Sequence, residues 1–351
     1  MADVATLTSR VDRLRAELEE PLLVTNATNV FYLTGFKSSN AALLVEDERV
    51  RLFTDFRYRE AAAAVEGVDV VETERSLVAG IAKDVEGRIG FEATAMTYAA
   101  WSRLAGTGLE LVPQDGLVER LRAVKDAEEL ERIRAAAEIA DRVYAAMAEN
   151  QFVGRTEKEL AWQMEQLFHT EGADALSFEL IVAAGATGAL PHGRPTTRSV
   201  EPNTTVVIDA GCYVDGYASD CTRTFATGEL PDDLARAYET CLEAQCAGLT
   251  ATRAGVAGAD ADAAARQVIA AAGWGENFGH GLGHGVGLLV HETPVLRSES
   301  EDVLEPGNVV TVEPGIYLPG RGGIRIEDLV VVTDDGNDVL TQYTKELVTV
   351  S

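Results

Sequence analysis

The sequence predicts a two-domain protein of mixed α/β class whose second half is α+β. Three observations carry this expectation. The chain has 351 residues, more than one core of ordinary size accommodates. Its first third alternates strand-like and helix-like patterns. The remainder runs twice through helices followed by an antiparallel pair of strands. With 46% hydrophobic residues, a sizeable core is available.

Residues 1–124 form the first predicted domain. LLVTNATNVFYLTGF reads as a strand, a polar turn and a second apolar stretch. NAALLVEDERVRLFTDFRY reads as two strands joined through Glu46-Asp47-Glu48. EGVDVVET and GRIGFEA are further short strands, separated by a helical pattern around Leu77–Val85. The boundary falls in RAVKDAEEL, where Asp126 and Glu129 have capping-box spacing. They open a long helix with Leu130, Ile133, Ala136, Ala137, Ile139, Ala140 and Val143 at helical spacing.

Residues 126–351 form the second. A helix capped at Thr156, with Glu159 behind the cap, runs to Thr170. Strand-like FELIVAAG and TTVVIDAGCYVDGYASDCTRTF follow, then helices around Asp232–Thr250 and Asp260–Ala272. The segment GHGLGHGVGLLVHE precedes the last two strands, NVVTVEPGIYL and GGIRIEDLVVVT. DDGND at 334–338 is a turn.

Charge and composition narrow the function classes. The net charge is −27, from 30 Lys+Arg against 57 Asp+Glu. That balance lacks the basic footprint of a nucleic-acid binder and disfavours anionic membranes. No apolar run is long enough for a transmembrane helix, and the charged N-terminus lacks the apolar core of a signal peptide. The expected location is therefore cytoplasmic. The four cysteines, Cys212, Cys221, Cys241 and Cys246, form no C-x-x-C pair, so a disulfide framework is not expected, and Cys212 and Cys221, flanking the proposed hairpin, read as small packing residues.

The chemistry gathers in the second domain. Asp215-Gly216 is a strong hairpin signal. With those two as the turn, residue 209 lies opposite 222, and 211 opposite 220. Asp209 and Asp220 are then diagonal neighbours on one face, with Cβ atoms about 7–8 Å apart. Two carboxylates so spaced can reach a pair of divalent cations about 3.5–4 Å apart. The plainer alternative is a strand-end acid and a turn residue. Against it, Asp209 follows the apolar run VVI, where an unpartnered charge is costly.

The last two strands follow the same pattern. A turn centred on Gly320 places Glu313 opposite Glu327, like charges that destabilise a sheet unless a cation lies between them. Arg325, two residues earlier, shares a face with Glu327 and can orient or neutralise a carboxylate. The chain has five histidines, and His280, His284 and His291 fall in one glycine-rich segment. Alternating glycines there imply close approach by another group. The pattern completes no G-x-G-x-x-G nucleotide loop. His192 sits in the turn LPHGRP, and His169, late in a helix, reads as a favourable C-terminal charge.

Taken together, IDAGCYVDGYASDCTRTF, HGLGHGVGLLVHE, TVEPGIY and GGIRIED resemble the metal-dependent pita-bread peptidases. That family includes methionine aminopeptidase, aminopeptidase P, Xaa-Pro dipeptidase and creatinase. YLTGF, LFTDFRY and LRAVKDAEEL resemble its creatinase-type N-terminal domain. The resemblance implies a creatinase-like α/β domain followed by a catalytic domain with a curved antiparallel sheet.

It also implies a ligand set. Asp209, Asp220, His284, Glu313 and Glu327 would hold two divalent metal ions, with Asp220 and Glu327 bridging. A set rich in carboxylates suits Mn²⁺, Co²⁺, Fe²⁺ or Zn²⁺, and manganese is the foremost expectation for this branch. His192, His280, His291 and Arg325 match substrate-side positions. His291 would contact the reacting carbonyl, and Glu313 would pass the water's proton toward the leaving amine. The implied activity is hydrolysis of the Xaa-Pro bond in small peptides with proline second, by a homodimer. The sequence leans to a dipeptidase, with an aminopeptidase for longer peptides as the alternative and a non-catalytic peptide-binding module behind both.

Overall fold

Strand–helix alternation in the first third builds one six-stranded sheet in the computed structural model of the chain, which describes residues 4–351. The chain divides into two compact units between Arg122 and Ala123. In the first unit β1 (Leu22–Val24) is fully buried. It pairs antiparallel with β2 (Ala41–Val45), which turns through residues 46–49 into β3 (Val50–Asp55). β4 (Asp69–Thr73), β5 (Arg88–Glu92) and β6 (Glu110–Gln114) join in parallel, giving the order β4-β3-β2-β1-β5-β6. One face packs Leu23, Leu44 and Phe53 against Ile81, Val85 and Leu104.

The second apolar stretch of LLVTNATNVFYLTGF is a helix, Ala27–Thr34. The Asn26 side chain accepts from the Thr28 N–H at its start, and Gly35, at φ 67°, ends it. Polar capping at one end and a left-handed glycine at the other bound the helix, although Asn29, Val30, Tyr32 and Leu33 are all buried.

The second unit opens with the long helix Ala127–Ala148, whose Asp126–Glu129 capping box is formed in both directions. Each such cap contributes about 1 kcal/mol. The next helix, Glu157–Thr170, carries the same device through Thr156 and Glu159. Both helices bury their apolar stripes against the strands that follow.

Those strands are β7 (Ala175–Leu176), β8 (Ile181–Ala184), β9 (Thr205–Ala210), β10 (Cys212–Val214), β11 (Tyr217–Ala218) and β12 (Cys221–Ala226). Helices Asp232–Ala251 and Gly258–Ala271 begin a second pass over a separate core. It continues through β13 (Gly283–Gly285), β14 (Glu292–Leu296), β15 (Val309–Val312), β16 (Gly315–Leu318), β17 (Gly322–Arg325), β18 (Asp328–Val332) and β19 (Asn337–Val339). Every ladder between these strands is antiparallel.

Two hairpins organise the unit, and each is broken in the middle. In the first, Asp215 and Gly216 both have positive φ, 50° and 87°, as a type I′ turn requires. Val214 pairs with Tyr217 and Asp209 with Thr222, so the register holds from the turn inward. The inner half pairs in the sheet β12-β9-β8, the outer half in β11-β10-β7. The break falls at Gly211, where a Cβ would lie 2.0 Å from the Ser219 carbonyl oxygen. In the second hairpin Val312 pairs with Asp328 and Gly315 with Arg325, which carries one register across the break. Pro314 occupies that break and has no N–H to continue the ladder.

Candidate active site

The hairpin breaks are where the acids lie. Asp209 and Asp220 flank the first and Glu313 and Glu327 flank the second, in line with the register expected from the two turns. At a break, side chains of both hairpins can converge instead of lying flat on one sheet. Oxygens of Asp220 and Glu327 and a ring nitrogen of His284 lie within 4.8 Å of one another. His284 Nε2 stands 3.3 Å from Glu313 Oε1 and 3.7 Å from Asp220 Oδ2. The nine residues singled out by the sequence, Asp209, Asp220, His284, Glu313, Glu327, His192, His280, His291 and Arg325, all border one cavity of about 480 Å³.

The histidine segment reaches this place because its glycines admit neighbouring backbone. A Cβ at Gly283 would lie 2.0 Å from the Thr311 carbonyl oxygen, and one at Gly285 2.4 Å from that of Thr293. His284 is therefore set between β14 and the lead-in to Glu313. Its N–H donates to Thr311 Oγ1 at 3.1 Å.

The charges do not balance within the protein. Four buried or half-buried carboxylates face one guanidinium, that of Arg325, and one imidazole. Burial pushes Asp220 well above the usual carboxylate range, and the neighbouring charges of Glu327, Asp209 and Glu313 add to it. Glu327 is raised likewise, by burial and by Glu313 and Asp209. Asp209 is raised by burial against the pull of Arg325. Glu313 differs: burial acts upward, but its hydrogen bond to His284 and nearby positive charges outweigh it and hold the group at about 2. His284 is raised in turn, since Glu313 overcomes the effect of burial. Burial lowers His280 and His291, favouring neutral rings.

Asp209 Oδ1 is buried without a hydrogen-bond partner. An orphaned carboxylate oxygen beside three further acids, with only Arg325 and His284 against them, fits a site for divalent cations. The donor set, four carboxylates and an imidazole, has the chemistry for two divalent ions.

Arg325 does not pair with Glu327 on its own hairpin. Its Nη2 donates to Asp209 Oδ2 at 2.6 Å, Nε to Thr222 Oγ1 at 2.9 Å, and Nη1 to the Tyr317 hydroxyl and the Pro191 carbonyl. The side chain is almost fully buried, so it braces the wall of the site and the turn before His192. His192 and His291 are exposed on the cavity, while His280 is held by the Tyr317 hydroxyl at 2.8 Å.

Several contributing residues were not apparent from the sequence. Thr222 donates to Glu327 Oε2 at 2.7 Å, and Thr311 contacts Glu313 Oε1 at 3.3 Å. Asp262 accepts from the Leu282 N–H, and Arg266 donates to the carbonyls of Phe278 and His280, fixing the start of the histidine segment. Tyr317 and Thr222 lie at same-face spacing from the acids, a signal the strand period offered. Nothing local marks Asp262 and Arg266, which act from a distant helix. His169 lies in the last turn of its helix, outside the cavity lining.

Comparison with known proteins agrees with this geometry. Residues 131–334 match the model of metallopeptidase family M24, and residues 10–124 that of the creatinase/prolidase N-terminal domain. An uncharacterized peptidase of Bacillus subtilis, YqhT, is 41% identical over 93% of this chain and 95% of its own. The solved structure of the Xaa-Pro dipeptidase from Bacillus anthracis superposes with a TM-score of 0.95 at 38% identity, covering 98% of this chain and 99% of that one. The X-Pro aminopeptidase from Thermotoga maritima gives a TM-score of 0.89 at 34% identity, over 97% and 100% of the two chains. The chain belongs to metallopeptidase family M24, with a creatinase-like N-terminal domain and a pita-bread catalytic domain.

Proposed function

We propose that this protein hydrolyses the Xaa-Pro bond of dipeptides, using two divalent cations, foremost manganese, held by Asp209, Asp220, His284, Glu313 and Glu327. The observation that carries this reading is the uncompensated cluster of four acids at the two hairpin breaks, opening onto a cavity walled by four histidines. When bound, such cations lower the pKa of a water toward neutrality and polarise a carbonyl oxygen. The protein's own groups do the rest. His291, neutral and exposed at the cavity, donates to the developing oxyanion. Glu313, within reach of His284, relays the proton of the attacking water to the leaving proline nitrogen. His192 and His280 border the space for the prolyl ring, and Arg325 keeps Asp209 in place.

Arg297 favours the dipeptidase over the aminopeptidase. It lines the cavity, is exposed, and has no ion-pair partner among the described residues. A dipeptide brings its free carboxylate one residue beyond the scissile bond, and a guanidinium at the cavity mouth suits it. The likeness to an X-Pro aminopeptidase supports the second reading. Hydrolysis of Leu-Pro, Leu-Pro-Gly and Leu-Ala by manganese-loaded protein separates the two. The expected order is Leu-Pro first, with Leu-Ala uncut. Preference for Leu-Pro-Gly would transfer the assignment to an aminopeptidase. Arg297→Met should raise KM for Leu-Pro and leave manganese affinity unchanged.

A further inference from the structure

Lys125 is an unusual place for a charge. It stands two residues past the start of the second unit, in the stretch RAVKDAEEL, and its side chain is 1% exposed. An ammonium buried so deeply is costly unless it is paired. Its Nζ lies 3.6 Å from Glu292 Oε2, itself only 6% exposed, and donates to the Ala123 carbonyl at 3.2 Å. Glu292 is the residue after His291.

Glu292 uses its other oxygen on the turn that carries His291. Oε1 accepts from the Leu289 N–H at 2.8 Å, and the Gly287 N–H donates to the Leu289 carbonyl at 3.0 Å. Leu288 anchors one side of this turn in the core, whereas Leu289 is 40% exposed and His291 lies at the surface of the cavity. Gly287 fits against the pair. A Cβ there would lie 2.7 Å from Glu292 Oε2 and 3.1 Å from Lys125 Cε. That contact accounts for one of the alternating glycines.

The other end is anchored as well. The Lys125 N–H donates to the Gly307 carbonyl at 2.9 Å, Val124 bridges Asn308, and Asn308 Nδ2 donates to the Ala123 carbonyl at 3.0 Å. Asn308 immediately precedes β15, which leads to Glu313. A continuous chain of contacts thus runs from the strand leading to Glu313, through Lys125 and Glu292, to the turn bearing His291.

We propose that Lys125 and Glu292 are positioning residues for His291, setting its imidazole against the cleaved bond by fixing the 287–292 turn to the base of β15. The inference rests on the proposed role of His291 in hydrolysis. It predicts that Lys125→Met lowers kcat on Leu-Pro by roughly tenfold to a hundredfold, the scale of a small misplacement at a reacting centre, with KM and manganese affinity nearly unchanged. In a His291→Ala background the same substitution should have no further effect on kcat. Glu292→Gln, which keeps the shape and the acceptor for Leu289, is the second variant should Lys125→Met fold poorly. Circular dichroism and melting temperature establish folding in each case. An independent readout is the rate at which diethyl pyrocarbonate modifies each histidine in metal-free protein, followed by peptide mass spectrometry. Lys125→Met and Glu292→Gln should change the rate at His291 severalfold and leave those at His192 and His280 alone. An equal loss of kcat with or without His291, or an unaltered modification rate at His291, would overturn the inference. If loaded wild-type protein cuts no Xaa-Pro peptide, the proposed function falls, and the modification rates still decide the positioning claim.

Discussion

The two broken hairpins supply acids at matching places, yet the protein holds the two pairs by different means. Glu313 and Glu327, on the second hairpin, sit directly opposite each other in register and are tied to the protein by His284, Thr311 and Thr222. Asp209 and Asp220, on the first, are offset across their ribbon. Asp209 is gripped at one oxygen by Arg325, which the second hairpin lends, and its other oxygen has no partner. The acids of the second hairpin are thus largely held by side chains, one of which, Thr222, the first hairpin lends in return. The first depends on the second and, in the proposed function, on cations. One consequence is that the site's parts are not equally replaceable.

The largest expected effect comes from the acid with least support of its own. Asp220→Ala should cut turnover of Leu-Pro by about a thousandfold or more, the kinetic equivalent of losing several kcal/mol of metal-assisted stabilisation. Metal analysis of the dialysed variant should show reduced manganese content. Retained turnover would contradict a role for Asp220 in holding the cations.

Next is the tie between the hairpins. Arg325→Met strands Asp209 and should cost about 3–5 kcal/mol of unfolding free energy in denaturant titrations, as breaking a buried ion pair does. Arg325→Lys should not restore it, because one ammonium cannot reproduce the contacts of the planar fork to Asp209, Thr222, Tyr317 and Pro191. Full rescue by lysine would show that charge alone matters there.

The carboxylates give a pH test of smaller size. Asp220 and Glu327 are raised above their ordinary values, so the folded metal-free protein keeps protons that the unfolded chain has released. Metal-free stability should therefore fall as pH rises above the ordinary carboxylate range. Bound cations require the deprotonated acids and should remove this fall. Melting temperatures with and without chelator would read it, and parallel curves would count against buried, uncompensated acids.

The smallest effect concerns the support of Glu327. Thr222→Val keeps volume but removes the hydrogen bond to Glu327 and the acceptor for Arg325. It should weaken manganese binding by about tenfold. No change in affinity would mean that the second hairpin needs no help from the first.

The same contrast shows what the sequence made legible. Both registers could be counted from Asp215-Gly216 and Gly320, because a hairpin turn fixes every pair behind it. The nine residues expected at the site could be named from their motifs, and all of them border one cavity. The breaks themselves were not, since whether a strand changes sheets depends on distant neighbours, although Gly211 and Pro314 mark the places. Arg325 could be placed on the face of Glu327 by parity, but its pairing with Asp209 belongs to the other hairpin and leaves no local trace. The helix Ala27–Thr34 was equally hidden, because a short apolar run does not distinguish a buried strand from a buried helix. Lys125 and Glu292 were visible only as parts of motifs until the fold brought them together.

The central claim, that the acids of the two hairpins together hold two catalytic divalent cations, is tested most directly by titrating chelated, metal-free protein with Mn²⁺ while following both bound metal and hydrolysis of Leu-Pro. The account predicts no hydrolysis at the start and recovery that saturates at two bound ions per chain. Full activity in the metal-free protein would contradict it.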